Sequence, residues 1–451
     1  MTEAQILALG PALSVFLERF LFCCADTRTF LHLSTYCRAL LSDLPRKSVE
    51  PIALAAGTAV RTLQEFLRDH LWDHTHALDL LQRHVVAHLD DLPDDGLGTV
   101  GICDETAHPK KGDKTPGVQR QWCGRLGKTD NCVVTVHLAV AKGRYKTLLA
   151  GDLFLPASWS DDRDRCRAAG IPDEVVHRPK WRVALGQYDQ AHARGLTLSW
   201  LTFDEEYGKA HEFLAGLDQR RVRFVGEVPK SWSCRVEQPQ AGQVGRRADE
   251  VVRTEQAFVG RPWRRLRLER QTLGVQTWQV KAARVWPTTR ERAGTQPYWL
   301  LWAVNEATGE EKYFVSNASA QASWATLVRV AFCRWQVEHA LRLAKSEVGL
   351  SHFEGRHYLG LQRHLTLCLV MLSFAAEQAA GLRGEKPGGD DGAGVPGVER
   401  AERGLAGAGA WDKSCAEHGL HHPVPPTTQP ARARIPATPA QTTTLALSVA
   451  L

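Results

Sequence analysis

No uninterrupted apolar run in this 451-residue chain reaches the ~18 residues that a membrane-spanning helix needs, so an integral membrane protein is not expected. Met1-Thr2-Glu3-Ala4-Gln5 has no basic n-region and no small-residue cleavage site, so a secretory leader is not expected either, and the chain reads as cytoplasmic. The 11 cysteines contain no C-x-x-C pair, which argues against a zinc ribbon or a disulfide framework and for reduced, buried thiols. His70 and His74, and His84 and His88, have the i, i+4 spacing of metal ligands, but no glutamate completes an H-E-x-x-H motif. They read as helix histidines. There is no internal repeat and no clear helix-turn-helix signature.

What is present suits a folded protein of roughly two to four domains, at about 150 residues each. Hydrophobic residues make up 43% and charged residues 24%, enough to bury a core. The net charge of +6 is too small to identify a partner, so its distribution matters more.

Residues 1–92 read as a helical region. Ile6, Leu7, Leu9, Leu13, Phe16, Leu17 and Phe20 recur at helical spacing, as do Val60, Leu63, Phe66, Leu67 and Leu71. The period then changes. Leu97 to Cys103 reads as a buried strand ending at Asp104, Cys132 to Ala141 as a second, and Lys146 to Leu155 as a third, with Gly143 in the intervening turn. Asp152, inside the third apolar stretch, reads as a loop residue. A helical stretch over 158–195, a fourth strand from Leu196 to Phe203 ending at Asp204, a helix from Tyr207 to Leu217 and a fifth strand from Arg223 to Val228 complete an α/β pattern. The predicted core comprises 97–229 and 319–382, the latter with helical period over Trp324 to Val348 and Leu361 to Ala380.

Between those parts, 230–318 reads as a β-rich insertion. Its strand candidates are Trp263 to Arg270, Thr277 to Trp286, Tyr298 to Val304 and Lys312 to Val315. Lys230 to Arg292 holds 14 Lys/Arg against 6 Asp/Glu, a net +8 that exceeds the whole-chain excess. Trp232, Trp263, Trp278 and Trp286 are interleaved with these charges. The tryptophans can fill the core of a β module while the arginines neutralise DNA phosphates, since alternate strand faces point opposite ways. After Leu382 the composition collapses into Gly, Pro, Ala and Thr, and 383–451 reads as a disordered tail.

Three acids are the candidates for the chemistry. Asp104 and Asp204 each follow a buried strand, where α/β folds place their sites, although a strand-terminal aspartate also caps the next turn. Glu338 lies on a helical stretch where Arg334, Glu338, Arg342 and Lys345 share a face, beside the apolar Trp335, Val337, Leu341 and Ala344. That face is either a solvated one with ordinary ion pairs or one wall of a cleft. If the three carboxylates converge, they suit one or two hard cations, Mg²⁺ or Mn²⁺, and two such ions activate a water or a 3′-hydroxyl on a phosphodiester. Arg334, Arg342 and Lys345 would hold phosphates nearby. Lys110 and Lys111 after Asp104-Glu105-Thr106, and Arg125 and Lys128 within Arg120 to Lys128, are further candidates for the DNA backbone. Glu347 and Glu354 are rival third acids.

Asp104-Glu105-Thr106 with Pro109-Lys110-Lys111-Gly112, then Gln121-Trp122-Cys123-Gly124-Arg125-Leu126-Gly127-Lys128, resembles the first catalytic block of insertion-sequence transposases of the DDE superfamily, nearest to the insertion sequence seven-oh-one branch. Asp204 to Gly208 resembles the second block. Arg334 to Lys345, continuing through Leu350 to Arg356 and Arg363-His364-Leu365, resembles the third. Ala331, with Phe332 beside it, stands where the wider group has a tyrosine. The resemblance implies a ribonuclease-H-like core, Asp104, Asp204 and Glu338 as catalytic metal ligands, and a region 1–92 that recognises DNA ends. It also implies a transposase that cuts at terminal inverted repeats and transfers the 3′-hydroxyl to target DNA, as a dimer on DNA and associated with the nucleoid. A ribonuclease-H-like nuclease without strand transfer and a non-catalytic DNA-binding remnant are the alternatives.

Overall fold

The computed structural model describes residues 3–384 apart from 241–242, 271–273, 290–293 and 295; the tail expected over 383–451 falls, from 385 onward, outside the described residues. Five helices come first: α1 (Glu3–Glu18), α2 (Thr27–Leu40), α3 (Val49–Ala55), α4 (Val60–Arg68) and α5 (His74–Asp91). Asp26 and Asp73 cap α2 and α5 by accepting hydrogen bonds from backbone amides of their first turns. Leu9, Leu13, Phe16, Leu17 and Phe20, the apolar stripe of α1 and its end, are buried.

Strands β1 (Val100–Pro109), β2 (Gln119–Cys123), β3 (Lys128–Lys142) and β4 (Tyr145–Leu153) follow, then α6 (Ala157–Ser160), α7 (Arg163–Ala168), α8 (Lys180–Ala193), β5 (Trp200–Phe203), α9 (Glu205–Gly208), α10 (His211–Gln219) and β6 (Phe224–Val228). Gly143, at φ 58°, makes the β3–β4 turn. β3 pairs antiparallel with β1 and β4, whereas β1, β5 and β6 run parallel. The order β4-β3-β1-β5-β6, three antiparallel strands followed by two parallel ones, is the ribonuclease-H-like arrangement.

The basic segment continues this sheet. β7 (Ser233–Arg235), β8 (Arg246–Arg247), α11 (Ala248–Thr254), α12 (Gln256–Val259), β9 (Arg264–Arg270), β10 (Gly274–Pro287), β11 (Tyr298–Asn305) and β12 (Glu311–Ser316) come next. β12 pairs with β6, so among the described residues one mixed sheet of 12 strands runs through both parts. The helices α11 and α12, and the short strands β2, β7 and β8, were not expected. Their apolar periods are too short to register.

Two helices, α13 (Trp324–Cys333) and α14 (Trp335–Ser346), replace the single one expected over 324–348; they meet at Arg334. The last, α15 (Tyr358–Gly384), holds a stretch, Tyr358–Gly381, long and apolar enough to cross a membrane, contrary to the reading of uninterrupted runs. In the stretch's most apolar window 83% of residues are buried inside the protein, against β4 and helices α2, α4 and α5, so it serves as the central core helix.

Candidate functional site

β1 and β5 are parallel neighbours, with Cys103 opposite Phe203, so Asp104 and Asp204 are the next residues at the same end of both strands. β5 stops there. β1 runs on to Pro109 because β3 keeps pairing it, so Asp104 lies mid-strand rather than at the strand end the sequence suggested. Asp204 caps α9, its Oδ1 accepting from the amides of Glu206 at 3.0 Å and Tyr207 at 3.4 Å. The capping alternative is therefore realised, and it fixes the carboxylate at the sheet edge. Gly208 is required in this turn, because a Cβ there would meet the Glu227 carbonyl oxygen at 1.9 Å.

Both carboxyl groups are pushed upward. Burial, the nearby Asp204 and, more weakly, Glu105 raise Asp104 to about 7. Burial and Glu105 raise Asp204 to about 6. One cation opposes this: Arg334 places Nη1 3.5 Å from Asp104 Oδ2 and Nη2 3.1 Å from Glu338 Oε1. Glu338 itself is 56% exposed, so it stands at the mouth, linked to Asp104 through the guanidinium. Among the described residues, no three His, Cys, Asp or Glu side chains converge closely enough to hold an ion. The aspartate pair nevertheless fits a hard cation. Its donors are all oxygen, and its like charges are buried with one arginine to offset them.

Residues two apart on β1 share a face, and Asp104, Thr106 and His108 face α14 and the loop after it. Lys345 Nζ donates to Thr106 Oγ1 at 3.1 Å. His108 and His137 join a buried chain in which the hydrogens are fixed by elimination. The Ala150 carbonyl can only accept, so His137 Nδ1 donates to it at 3.2 Å. Nε2 of His137 then accepts from Thr135 at 2.7 Å, Thr135 accepts from His108 Nε2 at 2.8 Å, and His108 Nδ1 accepts from Ser351 at 3.0 Å. Burial depresses both imidazoles, His137 to about 4, so the chain is neutral.

The basic candidates divide by environment. Lys111, Arg125, Lys128 and Arg342 are exposed. Lys110 instead turns inward, its ammonium donating to the carbonyls of Ser351 at 3.3 Å and Phe353 at 2.5 Å, and burial lowers it to about 8. It pins a loop rather than facing solvent. In the insertion, Arg246, Arg247, Arg253 and Arg265 pair with Glu255, Asp249, Glu311 and Glu306; only the last two acids lie outside the counted span, so most of the charge excess remains. Trp232 and Trp278 are buried, while Trp263 is 38% exposed and lies under Lys281. A groove of about 740 Å³ opens beside Asp204, lined by Glu205, Glu227, Lys230, Arg253 and Tyr313 among others.

Other acids and histidines have structural tasks. Asp152 is in β4, not a loop, and accepts from Gln187 at 2.7 Å. Glu354 pairs with Arg46. His84 meets Glu377 at 2.8 Å. Tyr207, inside the second block, is buried, and its hydroxyl has no hydrogen-bond partner among the described residues. Sequence reasoning missed the Lys180–Glu105 pair at 2.5 Å, on the sheet face opposite Asp104. The lysine, 75 positions from its glutamate, gave no signal.

Residues 20–285 match the family described as "DDE superfamily endonuclease", a span that includes Asp104 and Asp204 and ends before Glu338. Over 203 residues the chain is 29% identical to the "Probable transposase for insertion sequence element IS701" of Microchaete diplosiphon, covering 44% of this chain and 49% of that protein. The chain thus matches about half the length of that relative. With two buried carboxylates on adjacent parallel strands of a ribonuclease-H-like sheet, and the family match over more than half its length, the chain belongs to the DDE superfamily endonucleases.

Proposed function

We propose that the chain is a DNA transposase that nicks DNA at the ends of a mobile element and joins the freed 3′-hydroxyl to target DNA. The observation that carries this reading is the aspartate pair, held at the same end of two adjacent parallel strands and raised in pKa by burial and by neighbouring carboxylates. Asp104 and Asp204 would hold Mg²⁺ or Mn²⁺, one or two ions, and Glu338 would join them on exchanging its contact with Arg334 for one with the cation. When bound, such an ion lowers the pKa of a water or 3′-hydroxyl and stabilises the leaving oxygen of a phosphodiester.

The chain's own contribution is electrostatic and positional. Asp104 gives up the proton that burial favours. Arg334 presents a planar donor pair suited to a phosphate. Lys345, steadied by Thr106, adds a second charge along the same face. Lys111, Arg125, Lys128 and Arg342 lie exposed where a DNA backbone can reach them. Helices α1 to α5 would read the terminal repeats, and cutting two ends together requires at least a dimer on DNA. Asp104→Ala and Asp204→Ala are expected to abolish divalent-ion-dependent cleavage of element-end duplexes while gel-shift binding persists; full cleavage by either removes that residue from the reaction. Pre-cut ends supply the second arm: a transposase joins them to a target plasmid, and a nuclease without strand transfer does not.

A further inference from the structure

β2 and β3 form a hairpin that overshoots its neighbour. β3 begins at Lys128 but meets β1 only from Cys132, opposite Pro109. The tip, Cys123 to Lys128, is therefore held by β2 alone. Side chains alternate across β2. Cys123 turns inward to a small cluster with Cys132 and Val134, while Arg120 and Trp122 turn out. Trp122 is 64% exposed, the most of any described tryptophan, and Leu126 at the same tip is 44% exposed. Gly127, at φ 63°, closes a narrow turn, and the Trp122 indole Nε1 lies 3.9 Å from where a Gly124 Cβ would stand, so the ring lies against the tip.

The charges around this indole are basic. Arg120 and Arg125 are exposed and have no ion pair among the described residues. Lys128 pairs with Asp130 at 3.1 Å, an exposed contact that exchanges easily. The indole also lies on the face of the sheet that carries the carboxylate: Trp122 pairs with Thr129, which shares its face of β3 with Thr135 and His137, the partners of Thr106 and Asp104. A flat apolar ring inside a ring of cations complements a polyanion that carries flat apolar rings. A base inside an intact duplex has both faces covered, so an indole reaches one only where stacking is broken.

We propose that Trp122 stacks on a nucleobase that has left its pair beside the scissile phosphate, with Arg125 and Lys128 on the flanking phosphates. This rests on the DNA reading above and adds an unstacked-base site to it. The test uses the full chain, a fully paired short duplex, and the same duplex with a central mismatch carrying 2-aminopurine. The wild type is expected to prefer the mismatched duplex about tenfold, roughly 1.4 kcal/mol, and to quench the 2-aminopurine. Trp122→Ala loses both effects, Trp122→Phe keeps most of them, and Arg125→Met weakens both duplexes alike with a shallower salt dependence. A Trp122→Ala protein with the wild-type preference, or a wild type that binds both duplexes equally, overturns the base-stacking site alone. A wild type that binds neither duplex sinks the DNA reading itself.

Discussion

An aspartate protonated near neutral pH holds a cation only after giving up its proton. Asp104, raised to about 7, and Asp204, raised to about 6, therefore tie ion affinity to pH: binding strengthens as pH rises through this range, because each ion displaces protons. Isothermal titration with Mn²⁺ at pH 5.5 and pH 8 is expected to show the rise, and a flat profile contradicts it. The same shift bears on stability. An acid whose folded pKa lies above its unfolded one binds more protons when folded, so the contribution of this pair to stability is greatest at low pH and is lost as pH climbs from about 4 to about 7. In ion-free buffer at pH 8, Asp104→Asn is expected to stabilise the fold, by on the order of a few kcal/mol, with no gain at pH 4. Thermal melts at the two pH values check it. At this scale the two aspartates were legible in the sequence, as acids following apolar runs, although only Asp204 proved to end its strand. The Arg334–Glu338 contact was legible from helical spacing, but its bridge to Asp104 was not, because 230 positions separate the two residues.

At the scale of elements, the sheet edge is organised by register. His137 lies directly across from Asp104 on β3 and from Gly151 on β4. A Cβ at Gly151 would stand 2.7 Å from the imidazole, so Gly151 is the gap that admits the ring. Gly151→Ala is expected to break the His108–Thr135–His137 chain and cost about 1–3 kcal/mol, as overpacking does. Urea unfolding measures the loss, and hydrogen exchange is expected to quicken in β3 and β4. Unchanged stability would mean the ring has room to move. The break between α13 and α14 at Arg334 belongs here too. A continuous apolar period from 324 to 348 reads as one helix, and only packing of α13 on β5 and β6, with α14 on β1 and β4, shows why it divides.

At the scale of the whole molecule, α15 ties the helical N-terminal region to the sheet. Buried Arg363 donates to the carbonyls of Phe66, Leu67, His70 and Trp72 at 3.3, 3.2, 2.9 and 2.6 Å, closing the end of α4, and its guanidinium lies 4.8 Å from the Trp72 ring centre. His364 links Tyr36 at 3.0 Å to the Gly349 carbonyl at 3.1 Å. The end of the third sequence block is thus a strut. Arg363→Met is expected to cost at least about 3 kcal/mol, since several buried acceptors lose their donor together. Denaturant unfolding tests this, and a loss below about 1 kcal/mol would show that water or another donor replaces the guanidinium.

The sequence by itself determined where the apolar periods of two and of 3.6 lie, and hence the α/β class, the four longer strands of the basic insertion and the aspartates that follow the core apolar runs. These are local properties, carried by neighbours a few positions apart. Tertiary structure alone decided that the insertion extends the same sheet, that Lys110 and Arg363 turn inward to carbonyls, and that Arg334 stands between Asp104 and Glu338. Each of those depends on residues brought together from distant parts of the chain, where charge and burial are set by surroundings that no local pattern encodes.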